Sequence, residues 1–590
     1  MSNLSGVNVK ETAFSGEIFV RKAFRSFFLP SLLSCMGLAV GGLADCIFVG
    51  NVVGMTGLTA LNIGQPVYML FNTISYSLSI GGSIRYSAAL SDGKTEEGNR
   101  IFANVLGIAL CAYLVLCSLG LLFLPQVLAF LGAGEPGTEV WASCESVVRA
   151  QLMLVPLMFC QGPFYYFINS DNNPKLAGVA LLTSNTLDIV FNYIFVVLLR
   201  LGPAGSVYST GVGAAVMICI SLTHILGKKG CLRFAAARPD WRGLAKSFRM
   251  GFATSVQYVY QFITILVCNH LLMSLAGDLG VAVFGIVFNV ALLASSAYDA
   301  VSMALQPMVS TFNGERNNGN IRDSLQEAFR VTTAVSVFLT VVLLLFPQQV
   351  CFAFGLRGAA ELAAGTGAVR IYAAGILFSG VNMLMTYYYQ ALEKESMSFL
   401  LFTLRNFVFF LSFSLLLGRV GMSAFWWIYP ATETATLLVM ILYNRKKKSW
   451  TYLKPDDGNV YTAFLYSGTA DLGCVEREVD AYMEQRGASH QQTYFVSMMV
   501  EEVCGVILSK AFHAQDGYIQ LTIVPQDDGD ITLHLRDNAK EFNPFALNTD
   551  GISLERETGL DAIGIKVIKT RAKDFFYRRY AGFNTLVVRI

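Results

Sequence analysis

Charged residues are scarce in this chain of 590 amino acids: Asp, Glu, Lys and Arg make up 14% of it, against 54% hydrophobic residues. Soluble globular domains carry about 25% charged residues, so the composition excludes an ordinary soluble protein. The 12 cysteines include no Cys-x-x-Cys pair, which removes the main sequence evidence for a disulfide framework or a zinc site. The sequence therefore predicts a membrane protein whose cysteines mostly act as small apolar residues.

Acidic residues are sparser in the long N-terminal part of the chain than in its last 140 residues. Residues 451–590 contain 20 acidic and 14 basic residues, so the part before them holds the other 21 acidic and 29 basic residues. After Lys448 the pattern also changes to alternating strands and amphipathic helices, which is typical of a soluble α/β domain. The chain is predicted to have a basic membrane part and an acidic cytosolic tail.

Apolar runs long enough to cross a hydrocarbon core of roughly 30 Å predict twelve transmembrane helices. The first run lacks a small-residue cleavage site and is interpreted as a retained span, not a signal peptide. Basic residues concentrate in the loops after spans 2, 6 and 12, which predicts a protein of the cytoplasmic (inner) membrane with both termini in the cytoplasm. The spans lie near 27–49, 58–80, 101–124, 151–169, 176–199, 211–227, 252–276, 280–304, 331–346, 371–392, 399–418 and 425–443.

An internal repeat divides these spans into two sets of six. Residues 83–93 align with 304–314, and residues 124–132 align with 346–355, at a spacing of about 221 residues. Two parallel six-helix repeats are a secondary-transporter architecture, with the substrate site expected between them. The predicted units are an N-terminus (1–26), an N-lobe (27–227), a basic linker (228–251), a C-lobe (252–444), a second linker (445–458) and the tail domain (459–590).

Short motifs in the spans resemble those of the multidrug and toxic compound extrusion (MATE) family over roughly residues 20–445. They are Phe28-Leu-Pro-Ser, Gly42-Leu-Ala-Asp-Cys, Val53-Gly54, Gly93, Gly211-Val-Gly-Ala-Ala, Gln306-Pro307, and, closest to the DinF-like branch, Arg405 and Trp427-Ile-Tyr-Pro-Ala-Thr-Glu. The resemblance implies an antiporter that exchanges H⁺ or Na⁺ for organic, often cationic, small molecules. It implies a transporter and not an enzyme.

Acidic residues inside the spans are the candidate ion-coupling sites. An ionisable group at membrane depth costs free energy, so its presence there indicates a function. Asp45 lies late in span 1 between apolar neighbours. Asp188 and Asn192 in span 5 are spaced i, i+4 and share one helix face. The MATE resemblance implies a cation site here, although the family order of Asn and Asp is reversed. The family's span 6 threonine is not expected, since Met217 or Ile218 falls near its place.

Several polar residues in the second half are further candidates. Asp299 in span 8 is predicted either to bind substrate or to pair with a basic group. Arg405 and Glu433 are predicted to form a structural ion pair between spans 11 and 12. Gln257, Tyr260 and Gln261 are predicted to give span 7 a polar, aromatic face.

The tail resembles the GHKL ATPase domain of anti-sigma-factor kinases and histidine kinases. The resemblance rests on Glu501-Glu502 in an N-box-like helix, on Arg536-Asp537-Asn538-Ala539, on Gly564 opening a helix and on a hairpin over 577–590. It implies nucleotide contacts from Glu502, Asp537 and Gly564. Val506 replaces the asparagine that holds Mg²⁺ in the family, and an apolar side chain cannot ligate a hard cation.

These observations predict a cation-coupled exporter whose tail is a regulatory, nucleotide-binding-like domain. Its expected partners are a small-molecule substrate, the lipid bilayer and a regulatory protein at the tail, with no nucleic acid. ATP or ADP is a candidate ligand of the tail, whereas Mg²⁺ is not expected. Two alternatives stay open: a flippase for a lipid-linked substrate, and a membrane-anchored sensor that signals through the tail.

Overall fold

The computed structural model describes residues 8–91, 94–171, 173–228, 230–235, 238–314, 317–447, 460–467, 472–512, 517–526, 529–546, 557–580 and 583–590. Gly93 and most of the predicted linker 445–458 lie outside the described residues. Up to residue 447 the described chain is helical: α1 (Asn8–Val52), α2 (Met55–Ser91), α3 (Thr95–Leu122), α4 (Leu124–Leu131), α5 (Glu139–Ser170), α6 (Pro174–Asn192), α7 (Ala204–Leu226), α8 (Trp241–Gly314), α9 (Asn318–Leu345), α10 (Pro347–Ala353), α11 (Ala359–Ala391), α12 (Glu395–Thr403), α13 (Phe409–Gly418), α14 (Met422–Phe425) and α15 (Ile428–Lys447).

Ten helices among the described residues are long and apolar enough to cross a membrane. One of them, Thr254–Asn313, has 60 residues, which is more than twice the roughly 20 that one crossing needs. Within it, Gly277 has φ 63° and ψ −148°, a conformation that only glycine adopts without strain. The predicted number of twelve spans differs from ten at this break and at α2, which has 37 residues but is not among the ten.

The predicted repeat is visible in the order and shape of the helices. Both α3 and α9 have 28 residues, and each ends at a phenylalanine, Phe123 or Phe346, with φ/ψ of −105°/30° and −120°/33°. Each is followed by a short helix with proline in its first turn, α4 or α10, where a missing N–H costs nothing. The two aligned sequence segments therefore occupy equivalent elements. We refer to α2–α7 as the first lobe and to α8–α15 as the second lobe.

Helix α1 packs on both lobes and extends across the predicted boundary between residues 26 and 27. The helix is continuous from Asn8, so the predicted separate N-terminus (1–26) is largely part of it. Its first half packs on the second lobe, where Phe24 is fully buried in a cluster with residues of α8 and α9. Its second half reaches the first lobe at Asp45. The predicted basic linker 228–251 is likewise helical from Trp241, where α8 begins.

Helices α2 and α8 approach each other at glycines. A Cβ atom on Gly81 would lie 1.8 Å from the carbonyl oxygen of Ser247, and one on Gly251 would lie 2.1 Å from that of Ser77. Both distances are shorter than any real Cβ contact, so the two backbones can touch only because these residues have no side chain. Small residues serve membrane helix packing in this way because they increase van der Waals contact between helices.

We expect Gly251→Ala to lower the free energy of unfolding by about 1–3 kcal/mol, because the added methyl group must displace the backbone of α2 at Ser77. Gly107→Ala is the matched control: it is also a helical glycine, but nothing lies within 4 Å of the position of its Cβ. Thermal unfolding of both purified variants measures the effect. Equal midpoints for the two variants would show that the α2–α8 approach is not tight.

The tail is a two-layer α/β domain. The strands β1 (Tyr461–Tyr466), β2 (Tyr518–Pro525), β3 (Ile531–Asp537), β4 (Asp574–Tyr580) and β5 (Phe583–Arg589) form an antiparallel sheet in the order β1-β2-β3-β5-β4. One sheet face, with Leu521 and Leu533, packs on helices α16 (Leu472–Gln485), α17 (His490–Met499) and α18 (Glu557–Arg571). The hairpin predicted for 577–590 is confirmed as β4–β5.

Candidate functional site

Three helices bring the predicted polar residues of the first lobe together. Asp45 on α1 accepts a hydrogen bond from Nδ2 of Asn192, the last residue of α6, and Asn192 is fully buried. Asp188, one turn earlier on α6, accepts a hydrogen bond of 3.4 Å from Thr210 Oγ1 on α7. Asp45 and Asp188 are close enough to interact electrostatically. We call Asp45, Asp188, Asn192 and Thr210 the first-lobe site.

Two oxygen atoms of this site have no partner among the described residues. They are Oδ1 of Asp188 and Oδ1 of Asn192, and both are buried. Leaving a buried acceptor unpaired costs about 1–3 kcal/mol. A proton on a carboxylate, or a small cation between the oxygens, would remove that cost, and carboxylate and amide oxygens are ligands that suit hard cations. The oxygen atoms of Asp188 and Asn192 could therefore be satisfied by either H⁺ or Na⁺.

Two residues near the site were not predicted from the sequence. Thr210, seven residues before Met217 on α7, donates to Asp188. Tyr68 on α2 lies near both carboxylates, with its ring 5.1 Å from that of Phe159. The sequence does not show which turn of a helix faces a given neighbouring helix, so neither residue could be predicted as part of the site.

The second lobe holds the predicted ion pair between Arg405 and Glu433. Arg405 Nε lies 2.8 Å from Glu433 Oε1, and Asn382 Nδ2 donates to Glu433 Oε2 at 2.8 Å. Ser379 Oγ accepts from the other end of the guanidinium at 2.8 Å. Arg405 lies in the π-helical segment Leu404–Val408, and such segments are frequent at functional sites. The predicted pairing of the two residues is confirmed.

A cavity of about 170 Å³ adjoins this ion pair. Gln257 and Gln261 line it, together with aromatic side chains of α8, α11, α13 and α15. Tyr260, which was predicted to share their face, lies elsewhere: its ring stacks on Phe407 at 4.7 Å and its hydroxyl is 3.3 Å from Thr403 Oγ1. Of the three residues predicted for the polar face of span 7, Gln257 and Gln261 line the cavity, and Tyr260 contacts Phe407 and Thr403.

Asp299 is separate from the first-lobe site. It accepts a hydrogen bond of 3.0 Å from the hydroxyl of Tyr387 on α11. Arg405 is within electrostatic reach of it. Both roles predicted for Asp299, substrate binding and pairing with a basic group, stay predictions.

In the tail, Asp537 is held in the sheet. Its Oδ1 accepts from the backbone N–H of Ala539 at 2.9 Å and from Nδ2 of Asn584 at 2.8 Å, and Asn584 stands opposite it on β5. Burial raises the pKa of Asp537 to about 6, although these hydrogen bonds favour the ionised form and oppose the rise. Asn584 was not predicted, because strand register is a tertiary property.

The other tail residues are arranged differently from the prediction. Gly564 lies inside α18 and does not open it. A Cβ on Gly564 would lie 2.2 Å from the Glu502 carboxyl carbon, so the structure brings these two residues into contact. Val506 is 2% exposed and packs in the tail core. Its apolar side chain offers no oxygen to a metal ion.

We expect Asp537→Asn to stabilise the tail at pH 8 by about 2–3 kcal/mol, from a pKa shift of about two units. The folded-state pKa of Asp537 is raised, so its contribution to stability is present at low pH and is lost as the pH rises through about 6. Asparagine keeps the accepting oxygen and carries no charge. Hydrogen exchange of β3 and β5 amides in the full chain should therefore be slower in the variant at pH 8, and the difference should shrink as the pH falls below 4, where the carboxyl group is protonated in both the folded and the unfolded state. Equal exchange at pH 8 would contradict the raised pKa.

Comparison with known proteins covers the helical part of the chain. The MatE family model matches residues 30–194 and 250–416, which together are more than half of the chain. The chain is 22% identical over 352 residues to the probable multidrug resistance protein YoeA of Bacillus subtilis (strain 168), covering 57% of this chain and 73% of that protein. It is 20% identical over 339 residues to the probable multidrug resistance protein NorM of Thermotoga maritima, covering 56% and 71%.

Solved structures show the same fold. An inward-facing MATE family transporter of the MOP superfamily superposes with a TM-score of 0.65 at 18% identity, over 73% of this chain and 98% of that chain. The MATE transporter DinF-BH, solved in complex with R6G, superposes with a TM-score of 0.57 at 22% identity, over 73% and 97%. With a multi-pass helical bundle and a family match over more than half of its length, this chain belongs to the MatE family of membrane transporters.

Proposed function

We propose that this chain is a secondary antiporter that exports organic cations or amphipathic small molecules in exchange for H⁺ or Na⁺. The observation that carries the proposal is the contact of Asp45 with Asn192, beside Asp188, inside the membrane bundle. Buried carboxylates at membrane depth are stable only when a proton, a metal ion or an organic cation neutralises them. A site that must be neutralised, but by only one of these at a time, exchanges one for another.

The chemistry requires no covalent step. In one state of the transporter, the first-lobe site would hold the coupling ion between Asp45 and Asp188. Binding of an organic cation nearby would disfavour the ion, because like charges repel strongly in a low-dielectric interior. The buried amide oxygen of Asn192 gives a desolvated ion a neutral ligand.

Transport by the full chain in proteoliposomes tests this proposal. R6G, which is bound in the solved complex of DinF-BH, is a suitable first probe. We expect R6G to move against its gradient when a pH gradient or a Na⁺ gradient is imposed, and the gradient that works identifies the coupling ion. Failure of both gradients to move R6G and a panel of other organic cations would reject the antiporter.

Asp188→Asn is expected to weaken coupling more than Asn192→Ala does. Only the first variant removes a negative charge from the low-dielectric site, and that charge interacts with any bound cation. We expect the ion concentration for half-maximal transport to rise at least tenfold for Asp188→Asn, and less for Asn192→Ala. Equal small effects would indicate that α6 contributes only packing.

We also infer twelve crossings with both termini in the cytoplasm. The 60-residue helix broken at Gly277 supports two crossings, and α2 is long enough for one more. Lys446 and Lys447 close the last helix, and their charges favour the cytoplasmic side. A single cysteine introduced beside Gly277 should react with an impermeant reagent added outside the cell. Reaction only from the cytoplasmic side would show that the topology is the reverse of the one inferred.

For the tail we propose a regulatory, GHKL-like domain with little or no ATPase activity. Two observations support this proposal. Val506 is apolar and buried, so it cannot supply the Mg²⁺ ligand that the GHKL resemblance implies at its position. The carboxyl group of Glu502 occupies the space next to Gly564. Without Mg²⁺ the phosphates of ATP lack their usual charge neutralisation. Robust Mg²⁺-dependent ATP hydrolysis by the purified full chain would overturn the proposal.

A further inference from the structure

The sheet face of the tail that points away from the tail helices is covered by the membrane domain. This face includes Thr462, Phe464, Tyr466, Tyr518, Gln520 and Arg536, and we call it the outer sheet face. Tyr518, Gln520 and Arg536 are 4%, 1% and 8% exposed. An antiparallel sheet with helices on one face commonly leaves its other face to solvent. Here Tyr518, Gln520 and Arg536 are buried although they carry polar groups, and Thr462, Phe464 and Tyr466 on the edge strand are half-buried.

Its contacts are with α1, α8 and α9. The Arg536 guanidinium lies over the ring of Phe312 in α8, 5.4 Å from the ring centroid. Asn317, which caps α9, donates from Nδ2 to Thr462 Oγ1 at 3.2 Å. Tyr518 packs in one cluster with Val20 and Phe24 of α1. All three membrane elements meet the tail at one end of the second lobe, which we call the tail side.

The same helix α1 joins this contact to the first-lobe site. From Phe24 to Asp45 is 21 residues of continuous helix, or about 30 Å at 1.5 Å per residue. At its far end, Asn51 Nδ2 donates to the carbonyl of Ala353 at 2.7 Å, and Arg357 donates to Asn51 Oδ1 at 2.6 Å. The side opposite the tail, which we call the far side, is therefore closed between α1 and the second lobe. Helix α1 links this closure to the tail.

Further contacts close the same side. His270 Nε2 lies 2.6 Å from the carbonyl oxygen of Phe130, and Thr59 Oγ1 donates to the carbonyl of Asp278 at 2.9 Å. Each pair joins one lobe to the other. In a transporter that alternates access these contacts must break when the far side opens, and α1 must shift relative to at least one lobe.

The docking contact has the composition of a reversible interface. Its contacts include the cation–π contact of Arg536 with Phe312, the hydrogen bond from Asn317 to Thr462 and partly buried aromatic rings. Gln520 Nε2 is buried in it without a hydrogen-bond partner among the described residues, which costs free energy in the docked state. Polar interfaces between domains of one chain usually permit relative motion.

We propose that the outer sheet face is an autoinhibitory docking surface: the docked tail holds α1 on the second lobe, keeps the far side closed and slows transport. Undocking frees α1 and accelerates the cycle. A ligand or protein that binds the tail better when it is undocked therefore activates transport, because it shifts the equilibrium by its difference in affinity. The inference rests on the proposed transport function for its activity readout only.

The test joins the two sides of the contact reversibly in the full chain. Asn317→Cys/Thr462→Cys is treated with a short bis-methanethiosulfonate crosslinker, and the wild type and both single variants are treated as controls. We expect a 317–462 crosslink, R6G transport in proteoliposomes lowered at least about fivefold, and recovery after reduction. Absence of the crosslink, or a crosslink with unchanged transport, would overturn the inference. The crosslink yield does not depend on transport, so failure of the proposed antiport is recognised separately.

A second variant tests the opposite direction. Arg536→Ala removes the contact with Phe312 and should raise the transport rate and reduce the crosslink yield in the double-cysteine background. Arg571→Ala is the matched control, since Arg571 is an exposed arginine at the end of α18. Equal transport rates in the two arginine variants would sink the autoinhibitory role.

Discussion

Asp45→Asn is expected to abolish ion-coupled export while the protein remains folded and inserted. Asparagine has the shape of aspartate, and its amide oxygen can still accept the hydrogen bond from Asn192 Nδ2. It cannot take up a proton, and it brings no negative charge to Na⁺. Coupled R6G efflux in proteoliposomes should therefore fall to the level of empty liposomes under either gradient.

Asp278→Asn is the matched control for this variant. Asp278 follows the break at Gly277, where its carboxylate accepts from the backbone N–H of Leu279 at 3.0 Å, outside the first-lobe site. The substitution keeps the backbone carbonyl that accepts from Thr59. The Asp278→Asn variant should transport R6G at the wild-type rate. Export by Asp45→Asn at the wild-type rate under an imposed gradient would show that the coupling ion binds elsewhere, and Asp188 and Asp299 would then be the next residues to test.

Arg405→Met is expected to destabilise the protein by about 3–5 kcal/mol, because it leaves Glu433 buried without its counter-charge. Glu433 is 9% exposed, and among the described residues its carboxylate would keep the hydrogen bond from Asn382 Nδ2. The double variant Arg405→Met/Glu433→Gln removes both charges and should recover a large part of the loss. Thermal unfolding of the purified single and double variants measures both effects.

A double variant as unstable as the single one would contradict this account, since the loss would then come from packing and not from an uncompensated charge. Both variants should also be assayed for R6G binding, because the ion pair adjoins the cavity of the second lobe. Loss of binding in the stable double variant would give the pair a role in substrate recognition beside its structural one.

The sequence alone determined the class of the protein and most of its candidate residues. Low charge and long apolar runs dictate a membrane bundle, because each depends only on local composition. The i, i+4 spacing of Asp188 and Asn192 places them on one face of a helix without knowledge of any neighbour. The pairs aligned at about 221 residues predicted equivalent elements, since both copies repeat the same local signals around Pro125 and Pro347.

Only the tertiary structure decided which of these residues meet. The contact of Thr210 with Asp188, the position of Asn584 opposite Asp537, and the departure of Tyr260 from the cavity depend on helix rotation and strand register. Both are set by packing between segments far apart in sequence. The sharing of α1 between two lobes and the burial of the outer sheet face have the same origin: a periodic pattern shows that a face is polar or apolar, but not which partner covers it.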